Sequence, residues 1–205
     1  MELEAHVLEL DTRLMLGVKQ GETLCMDLLL QRHRGPVIQF LYRMVRNRAI
    51  AEELAQNVFM RVYRSRTTYE PTAKFTTWLF RIATNLALNS LRDHRHEKLE
   101  ISMDAPVTAD AEDGDEKPFE VADKHPTIEQ ELVEEDRKKM IRRAIEKLPE
   151  KQRAAVLLHK YQELDYAEIA KILSCSESAL KSLLFRAYET LRVELAPLVA
   201  RHGTK

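Results

Sequence analysis

The chain has 205 residues, 44% of them hydrophobic and 32% charged, so it is long enough for one large or two small domains with buried cores. Only five glycines and seven prolines are present, which favours helices over sheets, and no apolar run approaches the length of a membrane-spanning helix. The formal net charge of −1 conceals two basic parts and an acidic middle part. Lys and Arg outnumber Asp and Glu by 15 to 11 over residues 1–99 and by 15 to 8 over residues 137–205, whereas residues 100–136 contain 2 Lys and Arg against 14 Asp and Glu. The basic parts suit contact with a polyanion, and a polyanion would repel the acidic part.

The first basic part predicts five helices. Apolar residues recur at helical spacing, as Phe40, Leu41 and Met44 do in the third helix. Gly21 ends the first helix, and Gly35-Pro36 separates the second from the third, because proline suits the first turn of a helix. The predicted ranges are residues 11–20, 22–33, 36–46, 50–64 and 74–92.

The fifth predicted helix contains the only tryptophan, Trp78, and no Asp or Glu. One side of this helix is apolar, and on spacing alone Trp78 is most simply a core residue. The other side carries basic, hydroxyl and amide groups, which bind phosphates and base edges, and an aromatic at its margin can stack on an unpaired base. This side therefore suits single-stranded DNA. Its residues are Arg81, Thr84, Asn85, Leu88 and Arg92, with Lys74 and Thr77 at its start.

Between the two basic parts, residues 98–127 combine many acids with three prolines and one glycine and lack apolar periodicity. This composition predicts an acidic, flexible linker. Helical periodicity resumes near Ile128, and no strand pattern is convincing. The sequence therefore predicts an all-α fold of two small helical domains, residues 10–97 and residues 128–200, joined by the linker.

The second domain carries the most specific motif, two short helices joined by a tight turn. Asp165 and Glu168 have capping-box spacing, and Ser176 is a suitable cap for the following helix. The pattern describes a helix-turn-helix, whose second helix enters the major groove of duplex DNA, although an ordinary helical hairpin with a solvated face remains an alternative. Three helices are predicted after a break at Leu148-Pro149, over residues 150–161, 166–173 and 177–195. The second helix of the motif is expected to bury Leu180, Leu184, Ala187 and Leu191 and to expose Glu177, Ser178, Lys181, Ser182, Phe185 and Arg186.

Together these residues resemble those of an RNA polymerase sigma factor of the extracytoplasmic-function (ECF) group, in the sigma-70 family. Three blocks carry the resemblance, namely residues 51–63, residues 75–92, and Leu148-Pro149-Glu150 with the helix-turn-helix. The resemblance implies two domains, regions 2 and 4, with no enzymatic activity and no cofactor. It also implies three partners, which are promoter DNA, the clamp helices of the β′ subunit in the polymerase core, and an anti-sigma factor.

The resemblance also implies a role for individual residues. Region 2 would bind the polymerase core and the melted −10 element, with a base flipped into the loop over residues 69–74, and region 4 would read the −35 element as duplex. Leu54 and Val58 also fit a buried stripe. The implied core contacts are Glu53, Leu54, Gln56, Asn57 and Phe59, the −10 contacts are Tyr69, Lys74, Thr77, Trp78, Arg81, Asn85 and Asn89, and the −35 contacts are Ser178, Lys181, Ser182, Phe185 and Arg186.

One departure from the family pattern limits the resemblance. Leu183 stands where many relatives carry a basic residue, so the −35 sequence cannot be copied from a relative.

Two other functions compete with this one. A stand-alone helix-turn-helix regulator would leave residues 51–63 and the tryptophan-bearing helix unexplained. An enzyme with a metal at His94 and His96 is disfavoured, because residues two apart do not face each other on a helix, and the sequence has no phosphate-binding glycine loop, nucleophile elbow or HExxH motif.

The sequence also bears on location. Cys25 and Cys175 are isolated and have no metal-ligand spacing. Residues 1–11 contain four acids and no apolar core, unlike a signal peptide. We therefore expect a cytoplasmic protein without membrane insertion, a metal site or a disulfide framework.

Overall fold

The computed structural model describes residues 9–101 and 128–202, so most of the predicted linker lies outside the described residues. Within these ranges the chain forms eight α-helices and one 3-10 turn and has no strand, which confirms the expected all-α fold. None of the helices in these two ranges is long and apolar enough to cross a membrane. The helices are α1 Leu10–Gln20, α2 Thr23–Val45, α3 Arg48–Arg64, α4 Phe75–Ile101, α5 Ile128–Glu146, α6 Glu150–Tyr161, α7 Tyr166–Ile172 and α8 Glu177–His202, and the 3-10 turn is Arg66–Thr68.

The predicted break at Gly35-Pro36 is wrong, because α2 runs through it from Thr23 to Val45. Proline inside a helix removes one backbone hydrogen bond and costs about 3 kcal/mol. Here Pro36 is exposed, and so is Arg32, whose backbone carbonyl loses its partner. The buried residues of α2 continue on both sides of the proline, and their burial outweighs the local cost. These residues are Leu29, His33, Val37, Phe40, Leu41 and Met44.

The first lobe, α1–α4 with the 3-10 turn, has α2 at its centre, in contact with α1, α3 and α4. The rings of Phe40 and Phe80 meet edge to face in the core, with centroids 5.4 Å apart. A buried carboxylate braces α1 against α2, because Asp11 accepts a hydrogen bond from Arg32 Nε at 2.7 Å and lies 2.9 Å from His33 Nε2. Both apolar and polar contacts therefore stabilise the first lobe.

The second lobe, α5–α8, packs α6 and α7 against α8 around buried aliphatic side chains, including Leu157, Leu158 and Ile169, which continue the core of the first lobe. The predicted range of its first short helix matches α6, and α7 ends one residue before the predicted limit. The last predicted helix was too short, since α8 continues past residue 195 and through Pro197.

The two lobes lie in contact, with α2 against α6 and α4 against α7. Several arginines join them. Arg46 pairs with Glu146 at 2.5 Å, and the guanidinium of Arg43 lies 4.1 Å from the ring centroid of Tyr161. The structure is therefore a closed arrangement, in which surfaces of the first lobe are covered by the second.

Candidate nucleic-acid and polymerase interfaces

The helix-turn-helix begins with the capping box that the sequence predicts. The backbone N–H of Glu168 donates to Asp165 Oδ1 at 2.8 Å, and the backbone N–H of Asp165 donates to Glu168 Oε2 at 3.0 Å. Ser176 caps α8 as predicted, since its Oγ accepts the backbone N–H of Ala179 at 3.1 Å. Side chains at the positions that the sequence indicates thus cap the N-termini of both helices of the motif.

The turn between α7 and α8 lacks glycine but still ends α7 in the usual way. Ser174 adopts a left-handed conformation, with φ of 52°. The backbone N–H groups of Ser174 and Cys175 return to the carbonyls of Lys171 and Ala170, at 3.4 and 3.0 Å. This pair of bonds is a Schellman motif, which a small polar residue can support where glycine is more common.

The recognition helix α8 presents the surface expected of a major-groove reader. Leu180 and Ala187 are fully buried, and Leu183 is half-buried against the core rather than available to DNA. Phe185 is 67% exposed, which is unusual for an aromatic side chain and suits apolar contact with a thymine methyl group. The five predicted −35 residues all lie exposed on α8, and they are Ser178, Lys181, Ser182, Phe185 and Arg186.

The acid-free side of α4 is partly confirmed. Arg81, Asn85 and Asn89 are exposed at intervals of four residues, so their side chains line one stripe of the helix. Thr84 was expected on this side, but it is fully buried, and Leu88 is half-buried. The polar stripe is thus narrower than the sequence suggested.

The loop before α4 is closed in this structure. Tyr69 is 4% exposed, with its ring centroid 5.0 Å from that of Trp78, and burial raises the pKa of its hydroxyl. Lys19 Nζ donates to the backbone carbonyl of Tyr69 at 2.9 Å, which ties the loop to α1. Trp78 is half-buried, with Phe75 on another side at 5.8 Å. Tyr69 therefore does not offer its ring to a base in this closed arrangement, and its contact with the −10 element stays a prediction.

Two further predicted −10 residues contact the second lobe. Lys74 Nζ lies 3.0 Å from Glu168 Oε1, and Thr77 Oγ1 donates to the same oxygen at 3.2 Å. The hydrogen-bonded ion pair with Glu168 raises the pKa of Lys74. Thr77 is 4% exposed, so it is not accessible to DNA here. Sequence reasoning placed Glu168 only in its capping box, because no local pattern signals a contact across 91 residues.

The predicted polymerase surface on α3 needs one correction and one addition. Leu54 and Phe59 are 8% and 7% exposed, so in this structure they lie in the core and offer little surface to a partner. The exposed members of the predicted set are Glu53, Gln56 and Asn57. Two exposed apolar residues that the sequence reading did not select, Met60 and Tyr63, continue the same face at spacings of three and four.

The metal alternative gains no support from this arrangement. In the ranges 9–101 and 128–202, no three His, Cys, Asp or Glu residues are placed to bind a metal ion. His94 Nδ1 instead lies 2.9 Å from the carbonyl of Ser90, within its own helix.

A pair of helical lobes, with a helix-turn-helix in one and an exposed Arg-Asn-Asn stripe in the other, is typical of a DNA-binding protein. Comparison with known proteins agrees with this class. The sigma-70 region 2 family matches residues 29–97, and the sigma-70 region 4 family matches residues 138–191.

Two relatives extend the match over most of the chain. The RNA polymerase sigma-H factor of Pseudomonas aeruginosa is 30% identical over 196 residues, covering 93% of this chain and 96% of the relative. The ECF RNA polymerase sigma factor SigW of Bacillus subtilis is 30% identical over 181 residues, covering 88% and 94%.

Solved structures share the fold. Among them is the sigma factor RpoE of Bartonella quintana in complex with the anti-sigma factor NepR, with a TM-score of 0.63 at 20% identity, covering 83% of this chain and 96% of that one. The chain belongs to the ECF group of the sigma-70 family. It is a promoter-specificity subunit of RNA polymerase, and a stand-alone regulator is not favoured.

Proposed function

We propose that the two lobes divide promoter recognition between them. In this proposal residues 10–97 bind the polymerase core and the −10 element, residues 128–200 read the −35 element, and residues 98–127 link the two. The observation that carries it is that the two exposed DNA-compatible surfaces, on α4 and α8, lie on different lobes. As an initiation factor acting with polymerase in the cytoplasm, the chain needs no catalytic step of its own.

For the −10 element, we propose that Arg81, Asn85 and Asn89 contact the separated non-template strand. The amides suit hydrogen bonds to base edges, and the guanidinium suits a phosphate. Flipping a base out of duplex costs a few kcal/mol, whereas stacking on an aromatic such as Trp78 returns about 1–3 kcal/mol per base. Capture of the unpaired strand therefore offsets much of the cost of opening it.

For the −35 element, the proposal assigns duplex reading to the exposed face of α8. Lys181 and Arg186 suit phosphates or guanine acceptors, Ser178 and Ser182 suit either bases or phosphates, and Phe185 suits a thymine methyl. All five side chains lie free of the core, which supports their availability.

For the polymerase core, the proposal assigns the exposed face of α3. Glu53, Gln56 and Asn57 supply polar contacts, and the neighbouring Met60 and Tyr63, which are 50% and 43% exposed, supply the apolar centre that a stable interface needs.

A protein inhibitor of the anti-sigma class is a further proposed partner. A sigma factor of the same fold has been solved with such an inhibitor bound, which motivates the proposal.

Run-off transcription with purified core polymerase on a genomic promoter library tests the whole proposal. Two variants then separate the two functions of the first lobe. Asn85→Ala should impair promoter opening about tenfold while core affinity is retained, because the amide lies on α4. Asn57→Lys should weaken core affinity, because it adds a charge to the face of α3, and should leave promoter opening unchanged once core polymerase is added to saturation. Core affinity is measured by fluorescence anisotropy, and opening by permanganate reactivity of unpaired thymines. Equal loss of both functions in either variant would contradict the division.

A further inference from the structure

The side chain of Glu168 makes more contacts than the helix-turn-helix requires. It is 8% exposed, although acids are rarely buried without partners. Its Oε2 completes the capping box at the start of α7, and this bond alone accounts for its place in the motif. Its Oε1 instead contacts Lys74 and Thr77, which belong to the other lobe and are among the −10 contacts that the resemblance implies.

Lys74 and Thr77 together have the chemistry of an anion site. They flank the start of α4, a long helix whose first turn contains no acid. The site therefore combines an ammonium, a nearly buried hydroxyl and the positive end of a helix dipole. Its occupant in the closed arrangement is a carboxylate, the side chain closest to a phosphate in charge and in acceptor oxygens.

We propose that Lys74 and Thr77 form a binding site for a backbone phosphate of the −10 DNA strand, and that Glu168 occupies it as a phosphate substitute while the lobes are closed. This inference rests on the proposed function, because it takes the first lobe to bind the −10 strand. Glu168 and DNA then compete for one site, and the second lobe keeps the first from binding DNA until the lobes separate.

The spacing of promoter elements requires such a separation. The −10 and −35 positions differ by about 25 base pairs, or about 85 Å along duplex DNA at about 3.4 Å per base pair. In the closed arrangement Lys74 lies only 3.0 Å from the first helix of the helix-turn-helix. Both elements cannot be bound in this geometry, so binding a promoter must break the Glu168 contact.

Other contacts between the lobes lack this property. Arg46 with Glu146, Arg43 with Tyr161, and Arg95 with Glu150 join surfaces that the proposal does not assign to DNA. They stabilise the closed arrangement without occupying a DNA site. Glu168 both joins the lobes and fills a DNA site.

Glu168→Gln tests the inference with little risk to the fold, because glutamine also serves at this position of a capping box. The full chain is titrated into a fluorescein-labelled pool of single-stranded DNA of randomised sequence, since a phosphate site needs no particular bases. The affinity should rise about threefold to tenfold, a range suited to an ion pair with one exposed partner. The matched control is Glu189→Gln, which removes the same charge from α8, where Glu189 pairs with Arg192 at 2.7 Å.

A Lys74→Met background shows whether the gain acts through the site. There Glu168→Gln should give no rise, and Lys74→Met alone should reduce the slope of log affinity against log salt by about 0.7, the value for one contact with a single strand. This slope remains a test even if Glu168→Gln lowers helicity by circular dichroism. An equal rise in the Lys74→Met background, a rise in Glu189→Gln, or an unchanged slope would overturn the site.

The outcome is separable from that of the proposed function, because the pool contains neither promoter nor polymerase. A gain that depends on Lys74, in a chain that directs no run-off transcript, would support the phosphate site and refute the proposed function. Normal run-off transcription without that gain would refute the site alone.

Discussion

The guanidinium group of Arg153 fastens three chain segments, and its removal should destabilise the closed protein. Its Nη1 donates to the carbonyl of Met44 at 2.8 Å, and its Nη2 donates to the carbonyls of Glu146 at 2.5 Å and Leu148 at 3.3 Å. Met44 and Glu146 lie in the last turns of α2 and α5, where helices leave carbonyls without partners and carry partial negative charge.

The loss of unfolding free energy expected on removing the Arg153 guanidinium is the net of two opposing contributions. A hydrogen bond to a charged group contributes about 1.5–3 kcal/mol. Of the three bonds of Arg153, the one to Met44 has a usual length, the one to Glu146 is shorter and the one to Leu148 is longer. Burial lowers the pKa of Arg153, so part of this gain is offset by the cost of removing the guanidinium from water. Methionine would retain the packing of the aliphatic stem. Arg153→Met should therefore lower the free energy of unfolding by about 2–4 kcal/mol.

Urea unfolding followed by circular dichroism measures this loss. Arg92→Met is the matched control, because Arg92 is exposed and its nearest acid, Asp93, lies 3.8 Å away. The control should change stability by less than about 0.5 kcal/mol. A loss for Arg153→Met no greater than that of the control would refute the view that this residue stabilises the helix ends.

Two further predictions concern α2 and the second lobe. Pro36→Ala should raise the free energy of unfolding by about 2 kcal/mol, because it restores a helical hydrogen bond at an exposed site. The greater entropy of the unfolded chain with alanine offsets only part of this gain. A urea midpoint below that of the wild type would contradict this prediction. Burial, reinforced by Lys160, lowers the pKa of His159, whose Nδ1 lies 2.8 Å from the hydroxyl of Tyr188. The folded state therefore favours neutral His159. The stability that this preference contributes is present above the unfolded pKa of about 6.5 and is lost as the pH falls through and below that value. His159→Gln should thus lose less stability than the wild type between about pH 7.5 and about pH 5.5, and equal losses would refute the assignment.

Much of the helical pattern was predictable, because caps and stops act locally. The stop at Gly21 is confirmed by its φ of 94°, and the capping box at Asp165 by both of its hydrogen bonds. The continuity of α2 was not predictable from its Gly-Pro pair, since the burial that outweighs the proline comes from α1, α3 and α4. Local rules give the cost of a proline but not the tertiary contacts that offset it.

The candidate sites were also predictable only where local spacing decides exposure, and not where tertiary contacts decide it. Exposed stripes such as Asn85 with Asn89 follow from helical spacing, so sequence alone placed them well. Whether a residue at the edge of a stripe is buried depends on the neighbouring helix, and this is why Thr84 was misplaced. The contact between Glu168 and Lys74 had no sequence signal, because it depends on how two lobes meet.

The two carboxylate oxygens of Glu168 have separate partners, so the contact between the lobes can break without disturbing the capping box. When one oxygen releases Lys74, the other still holds the first turn of α7 in place through the backbone of Asp165. Separation of the lobes can then proceed as a hinge motion of preformed bodies. In the proposed opening, the helix-turn-helix would move away already folded, so promoter binding would not incur the conformational-entropy cost of folding it.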